Sequence, residues 1–564
     1  MDNQRLLVWG AFVLLLWFTY QTWMQDYGPA PVQPTAVVEP TEPADTVDSI
    51  ALPEVGDAPA QAPAGSLPGD TVVAAPDDGR TIRVITDVLD LQIATLGGTL
   101  VQATMLDYPV HKDQPDKLIE LLSREPGQLG LIRTGLRSAT GPSADHKVVF
   151  SAPKTEFVLD GNDEIVVPLT WTGENGLMVE KRLAFKRGSY AISVEQTITN
   201  RSSGPWRGDQ YTQLLRRSRG RERSMFDVDS YSFDGPITYN GEKAEKLERD
   251  DLLKDGAIDY ATPDGWVAAI QHHFLSAIVP EADAQHVFRV EVAGDTMIAS
   301  VVGAKQTVEP GASHTFRRTI FVGPKTQAQL GDLHDRLKLT VDYGWLTILS
   351  QPMFWLLAFI YQYVGNWGLA IIVVTILIKA AFYKLTESSG RSMAKMRNLQ
   401  PRMKALQERY KDDKQAQSQQ MMELYKREKV NPAAGCLPIL IQMPFFLAFY
   451  WVLVESVEMR QAPFAFWITD LSSRDPYFIL PLIMGAAMLL QQKLNPAPAD
   501  PVQARVMQIM PIMFTGFFAF FPSGLVLYWV TNTVLSIAQQ WKINRVVEKE
   551  AAAHKGGKKN KSKE

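Results

Sequence analysis

Cysteine is nearly absent from this 564-residue chain, histidine is scarce, and charged side chains are sparse between residues 437 and 541. The single cysteine, Cys436, excludes an intrachain disulfide, so a soluble half exported from the cytosol must be held by its own core. No G-x-x-x-x-G-K-[ST] phosphate loop is present, and we expect neither a cofactor nor a metal. The net charge of −4 averages a mostly soluble half, to about residue 340, with a mostly membrane-embedded remainder.

Six apolar segments are predicted to cross a bilayer. The first, residues 6–23, follows Arg5 and lacks a small-residue A-x-A cleavage pattern. We therefore interpret it as a retained signal anchor, the alternative being a cleaved signal peptide. The remaining five spans are residues 366–383, 437–457, 477–492, 507–521 and 524–541.

Residues 345–364 are apolar but interrupted by polar side chains and Pro352. If they formed a seventh span, the loop 384–429, with about a dozen lysines and arginines, would lie outside and break the positive-inside rule. We therefore predict an amphipathic helix on the outer membrane surface. The loop 384–429 and the tail from residue 542 are then cytoplasmic, and the outer loop 455–475 has more acids than bases.

Residues 81–324 alternate apolar and polar side chains between recurring turns, a pattern typical of an all-β sandwich. A helix over about 325–337 is expected to lead back to the membrane. The preceding segment, 25–78, is crowded with proline, alanine and acids, which predicts a disordered tether. Strands are expected to begin near residues 81, 147, 164, 190 and 286.

The β domain also offers residue types suited to acid–base chemistry, namely His272, His273, Asp209 and Glu222. Sequence alone does not bring them together. Because the two histidines lie in a strand-like run, 268–280, we expect one to be buried and the other exposed. A sugar-binding or sugar-modifying domain is therefore retained only as an alternative function.

A lysine interrupts the apolar segment that begins near Asn366. At 1.5 Å per residue, Lys379 lies roughly 20 Å into a core about 30 Å thick, where a cation costs on the order of 2.5 to 3.5 kcal/mol. Such a charge faces a wet cavity, a partner or the nearer interface. In the third case Lys379 would be a snorkelling lysine, whose long side chain carries the charge to the membrane boundary. Thr375 lies one turn outward on the same face, and Gln442 of another span could join them in a hydrated cavity. Ordinary helix packing would look the same.

The cytoplasmic loop carries apolar residues at spacings of three and four, which predicts a helical hairpin over 385–430 with an apolar seam and basic outer faces. Methionine is adaptable and suits contact with many apolar partners, although a plain coiled-coil seam explains each methionine equally well. The tail 555–563 is expected to be disordered and to attract lipid or ribosomal phosphates without sequence specificity. The candidate hairpin contacts are Met393, Met396, Met403, Met421 and Met422.

Three segments carry a resemblance to a known family: NPAAGCLPILIQMPFF at 431–446, RQAPF at 460–464 and FPSGLVLYW at 521–529. Together they closely resemble the YidC membrane protein insertases of Gram-negative inner membranes, and the similarity runs along the whole chain. The resemblance implies a β-supersandwich in the periplasm and a five-helix core around a hydrophilic groove, open to the cytoplasm and the lipid.

In that family the groove holds a positive charge, usually arginine, where this chain has Lys379. The chain also has Lys384 in the segment where related chains often carry proline. Since lysine lacks the planar guanidinium fork, a mechanism that needs bidentate contact is not expected here. The resemblance also implies contacts with the substrate, in the groove and on an apolar slide along which the segment leaves into lipid. These residues are Thr375, Gln442, Met443, Phe446, Phe517 and Tyr528, with Trp529 as an aromatic replacement.

The expected function is insertion and chaperoning of nascent membrane proteins, alone or with the Sec translocon, without bond chemistry. The expected partners are nascent chains, the Sec translocon, ribosomes, targeting factors and membrane lipids. The main rival is a secondary transporter or channel in which Lys379 binds an anion. The expected layout is an anchor at 1–24, a tether at 25–80, a β domain at 81–340, an interfacial helix at 341–365, a five-span core at 366–545 and a basic tail at 546–564, with both termini cytoplasmic.

Overall fold

The computed structural model describes residues 80–139, 142–217, 232–282, 284–411, 413–428, 430, 437–494 and 501–561. The predicted anchor and nearly all of the predicted tether lie outside the described residues, as do Cys436 and Glu222. The described chain forms a β domain followed by a helical region.

The β domain is a two-sheet sandwich, which confirms the predicted class. Its strands are β1 Thr81–Ile85, β2 Leu89–Ala94, β3 Thr99–His111, β4 Gln114–Leu122, β5 Gly130–Ser138, β6 Glu156–Val158, β7 Glu164–Thr172, β8 Leu177–Lys186, β9 Ala191–Asn200, β10 Trp206–Arg217, β11 Asp234–Tyr239, β12 Ala244–Lys246, β13 Ile258–Thr262, β14 Trp266–Gln271, β15 Phe274–Pro280, β16 His286–Ala293, β17 Thr296–Val302, β18 Gln306–Val308 and β19 Ser313–Pro324.

The larger sheet has the order β13-β16-β17-β10-β5-β3-β2-β1-β6, with β18 paired to β10 and β4 to β3. The second sheet has the order β12-β11-β14-β15-β19-β9-β8-β7. Neighbouring strands are antiparallel except β1 and β6. Alternation explains the sandwich: in β8 every second side chain from Leu177 to Phe185 is buried, so one face of the strand joins the core.

Four of the five predicted strand starts are confirmed. The exception is residue 147, where the chain makes only an isolated bridge between Leu96 and Val149. Lys147 donates its backbone N–H to the side chain of Asp145, and this local turn replaces a ladder partner. The sequence also did not reveal the short helix between β12 and β13.

The helices are α1 Arg249–Asp255, α2 Gln327–Leu333, α3 Thr347–Val364, α4 Trp367–Ala381, α5 Tyr383–Arg409, α6 Lys414–Arg427, α7 Leu437–Glu455, α8 Ile479–Leu494, α9 Pro501–Phe518 and α10 Ser523–Lys561. Short 3-10 turns occur at Asp335–Thr340, Gly344–Leu346 and Val457–Met459. α10 runs into the tail that we expected to be disordered, so that expectation is wrong as far as Lys561. The run of glutamates, lysines and alanines after Val547 favours continued helix.

The junction of α3 and α4 follows from two residues. Gly365 adopts the left-handed conformation that ends α3, with φ of 63°, and the side chain of Asn366 accepts the N–H of Leu369 at 3.0 Å to begin α4. At the other end of α4 the chain bends by 69° into α5. α4 therefore ends near Lys379 and the basic hairpin leaves in a new direction.

By length and composition alone, one described helix, Gly344–Val364, can cross a membrane, and the bent pair α4 and α5 can supply a second span. The apolar helices Leu440–Glu455, Ile479–Leu494 and Ala504–Phe518 are shorter. The six-span topology and the interfacial position of α3 therefore stay predictions. α3 buries one face and exposes Trp355 and Tyr363 on the other, and such side chains favour a membrane–water interface.

The β domain meets the helical region at the segment that follows α7. The Glu458 carboxylate accepts the backbone N–H of Gln327 at 3.1 Å, and its other oxygen has no partner. Burial raises the pKa of Glu458 to about 7, and Lys325 opposes the shift. The folded junction therefore favours the protonated acid.

We expect this junction to weaken as the pH rises. A carboxyl whose pKa is raised on folding contributes stability that is complete below its unfolded value and is lost as the pH passes about 7, by on the order of 1–3 kcal/mol. Hydrogen exchange of residues 454–461 should therefore be faster at pH 8.5 than at pH 6.5, after correction for intrinsic rates. Glu458→Gln, which stays neutral, should remove this difference, and an equal pH dependence in the variant would contradict the assignment.

Candidate functional site

A line of polar side chains joins α4, α7 and the first, mostly apolar part of α10. The ammonium of Lys379 on α4 donates to the hydroxyl of Ser536 on α10 at 2.8 Å. That hydroxyl donates to the carbonyl of Asn532 at 2.7 Å, and the Asn532 amide reaches the side-chain oxygen of Gln442 on α7 at 3.5 Å. The sequence suggested a shared cavity for Lys379 and Gln442 as one of two interpretations, and the structure links them through two residues of α10.

Lys379 is half-buried, and within the described part of the chain no carboxylate lies within ion-pair distance of its Nζ. A cation among apolar helices that has only a hydroxyl for a partner keeps donors free for water or for an incoming anion. This arrangement favours the cavity interpretation over simple helix packing.

The polar line continues along α10 toward the hairpin. Gln539 donates to the hydroxyl of Thr386 at 2.8 Å, and Gln540 donates to the side-chain oxygen of Asn544 at 2.9 Å. These side chains recur at helical spacing from Asn532 onward, so one face of α10 is polar from Asn532 through the second half of the predicted span and beyond it.

Thr375 does not line this face. Its hydroxyl donates to the carbonyl of Ile371 in its own helix at 2.7 Å, and its side chain is buried. Its role as a groove contact therefore stays a prediction. The hydroxyl is satisfied by the preceding turn, as is common for threonine in apolar helices.

The predicted slide residues form an aromatic cluster at the outward side of the polar line. Phe446 contacts Trp529 and Phe518 with ring centroids 4.9 and 6.0 Å apart. Phe517 is 56% exposed and Met443 is 40% exposed, so both present apolar surface outside the packed helices. These two are the predicted contacts that a guest segment can reach directly.

Tyr528 is buried, and its ring stacks on Phe449 at 4.8 Å. In this conformation its ring fills the space between α7 and α10, and its contact with a substrate stays a prediction. It supports the cluster from behind, while Trp529 is half-buried at the cluster's edge.

The predicted helical hairpin is observed as α5 and α6, and its cytoplasmic location stays a prediction. Its seam buries Leu399, Met403 and Leu424, with Met396 and Met421 packed against them. Met393 is half-buried on α5, outside this seam cluster. Met422 is 45% exposed on the outer face of α6, because it lies one residue, or about 100°, from Met421. Met422 is therefore available to a partner, whereas Met403 is not.

Of the three candidate acid–base residues that the structure describes in the β domain, the two histidines lie together and Asp209 lies apart from them. Both His272 and His273 are buried, so the expectation of one buried and one exposed histidine is wrong. They occupy the tight turn between β14 and β15, and both rings point to the carbonyl of Val454. Asp209 is buried elsewhere against Arg137 at 2.5 Å. Residues 268–280 form a hairpin. The strand-like sequence pattern continues through its turn, so the sequence alone suggested a single strand.

Sequence reasoning missed Asn532, Ser536 and Phe518. The first two lie four residues apart in an apolar helix, and with Gln539 and Gln540 they continue a polar stripe that was visible in the sequence. Phe518 is next to the predicted Phe517, and only the rotation of α9 decides which of the two is buried.

Two family models match the chain. Residues 81–356 match the YidC periplasmic domain, and residues 359–550 match the 60Kd inner membrane protein. The membrane protein insertase YidC of Thioalkalivibrio sulfidiphilus is 47% identical and the alignment covers 97% of this chain and 99% of that protein. The insertase of Nitrosococcus oceani is 46% identical, with 98% and 100% covered. A solved structure of an active YidC insertase, 19% identical, covers 81% of this chain and 92% of that one with a TM-score of 0.39.

The resemblance inferred from three segments is thus confirmed over the full length of the chain. Members of the family are bacterial inner-membrane proteins with a periplasmic domain, and they act as insertases and not as enzymes. This chain belongs to the YidC family of membrane protein insertases.

Proposed function

We propose that the polar line from Lys379 through Ser536 and Asn532 to Gln442 is the wall of a hydrophilic groove that receives nascent membrane segments. The observation that carries this proposal is the Lys379 ammonium, held 2.8 Å from a hydroxyl and facing no carboxylate among the described residues. If a carboxylate of the protein were already bound to this lysine, the positive charge would be neutralised and would not attract an acidic nascent segment.

The groove lowers the cost of moving a polar flank across the membrane. Such a flank meets a barrier of several kcal/mol in hydrocarbon, and a wet groove that reaches partway inward shortens the low-dielectric path. Lys379 attracts an acidic flank, while Met443 and Phe517 offer apolar surface to the hydrophobic segment as it leaves sideways into lipid. Burial of that segment supplies the free energy, and the membrane potential assists negative flanks outward.

The proposed topology has six spans and both termini in the cytoplasm. α5 and α6 then lie in the cytoplasm, where the exposed Met422 and the basic outer faces receive nascent chains from ribosomes or targeting factors. The periplasmic domain is a docking surface for the Sec translocon. The exposed aromatic face of α3, with Trp355 and Tyr363, contacts lipid headgroups at the outer surface.

Site-specific photocrosslinking to a ribosome-stalled nascent chain tests the groove. A crosslinker at Phe517 or Met443 should capture a hydrophobic nascent segment. A crosslinker at Trp355, which is similarly exposed at 66% but lies on α3, should capture it at least fivefold less. Equal capture at all three positions would mean that the segment only collides with exposed apolar surface, and the groove would be rejected.

A further inference from the structure

Residues of the periplasmic domain cap the C-terminal, outer end of α7. The last carbonyls of a helix have no partner within it and need donors from elsewhere. The carbonyl of Val454 accepts Nε2–H groups from two imidazoles, His272 at 3.1 Å and His273 at 2.8 Å. Both histidines are buried and their rings stack at 3.7 Å. A hairpin far away in sequence thus serves as the C-terminal cap of this helix.

The turn that presents these histidines is strained. His272 has a φ of 48°, in the left-handed region that a two-residue hairpin turn usually fills with asparagine or glycine. The flanking register, Gln271 opposite Phe274, leaves only the two histidines in the turn. A side chain that the turn itself disfavours is held where it meets α7, and strain of this kind points to a role beyond closing the hairpin.

Further contacts fix the residues next to this cap. Glu455 lies 3.8 Å from the ammonium of Lys325, and the hydroxyl of Ser456 lies 3.0 Å from that of Tyr343. The guanidinium of Arg460 donates to the carbonyl of Pro109 at 2.8 Å. The end of α7 and the residues just after it are therefore attached to the periplasmic domain at three places besides the hairpin.

The same helix carries the groove residues Gln442 and Met443 in its inner half, and Phe446 lies just beyond Pro444 in the outer half. Between the two halves lies Pro444, which has no N–H for the carbonyl four residues before it and so weakens the helix at that point. One half of α7 is thus anchored, and its direction sets where the inner half, continued through this proline, meets α10.

We infer that His272 and His273 are positioning residues of the insertion groove. They hold the outer half of α7 still, so that the inner half keeps the position in which Gln442 meets Asn532. This inference rests on the proposed groove, and it assigns to the periplasmic domain a mechanical role in shaping that groove.

Thiol labelling of the full-length chain in inverted membrane vesicles tests the inference. Cys436→Ser removes the single native thiol, and Met443→Cys places a reporter on α7. In this background the pair His272→Leu and His273→Leu should speed maleimide labelling at least threefold, because the inner half of α7 is no longer held. The pair His272→Gln and His273→Gln should restore the original rate, since the glutamine amide N–H matches the reach of Nε2–H.

His314→Leu is the matched control, because it removes a histidine of the same domain at the opposite end of β19 from the junction. It should leave the rate within 1.5-fold, on the order expected of a distant site. Protease resistance of the periplasmic domain checks folding, and if the leucine pair unfolds it, Tyr343→Phe replaces that pair and should speed labelling in the same direction. Equal labelling rates in the folded leucine pair, the glutamine pair and the control would overturn this inference and leave the proposed function standing. No labelling in the starting chain would instead show a dry groove and reject the proposed function with it.

Discussion

Lys379→Glu should reduce insertion of substrates with acidic flanks at least tenfold, whereas Lys379→Arg should retain it. Among the residues that the structure describes, the ammonium at this position contacts the Ser536 hydroxyl and no carboxylate, so its charge is available to a passing carboxylate. At about 5 Å and an effective dielectric constant near 20, reversing that charge turns an attraction of roughly 3 kcal/mol into a similar repulsion. This mechanism uses only the charge, so it does not require the guanidinium group that Lys379 lacks.

The measurement is rescue of cells depleted of their native insertase, scored on matched substrates whose flanks are acidic or neutral. Lys384→Glu provides the control, because it reverses a lysine on the exposed side of α5, outside the polar line. It should change insertion less than twofold, in keeping with the small effect of an exposed charge. If Lys379→Glu rescued acidic substrates as well as the original chain, Lys379 would be a snorkelling lysine and the groove would lose its central charge.

Local patterns in the sequence predicted most of the fold. Alternation identified the sandwich, Asn366 marked the start of α4, and spacings of three and four identified the seam of Leu399, Met403 and Leu424. Each of these features is set by residues that are neighbours in one element or in two elements joined by a short loop. Their physical causes are therefore visible in a single sequence.

Contacts between distant segments were not visible. Ser536 lies 157 residues from Lys379, and no local rule shows which helix supplies the partner of a membrane lysine. The paired histidines are a sharper case, because alternation assigned His272 to a strand while its φ of 48° places it in a turn. The burial of Thr375 and Tyr528 was not visible for a related reason, since the face that a helix turns toward its neighbours depends on rotations that only packing fixes.

Gly485→Val should separate α8 from α9 and lower the amount of folded protein several-fold. A Cβ built at Gly485 falls well inside van der Waals contact with Thr515 Oγ1. Small residues allow helices to approach closely in membranes, and overpacking such a contact costs typically 1–3 kcal/mol. Thr515 cannot turn aside freely, because its hydroxyl donates to the carbonyl of Pro511 at 2.7 Å. Detergent-solubilised protein in a size-exclusion thermal scan measures the loss.

Gly516→Val is the matched control, since it adds the same side chain one residue from Thr515, where nothing lies within 4 Å of the new Cβ. It should leave the folded yield close to that of the original chain. The double variant Gly485→Ala with Thr515→Ala should recover what Gly485→Ala alone loses, because it removes the hydroxyl that the new methyl group meets. Recovery would show that one contact sets the distance between α8 and α9. If instead Gly485→Val and Gly516→Val lost folded protein equally, the cost would come from valine in this pair of helices and not from their close approach.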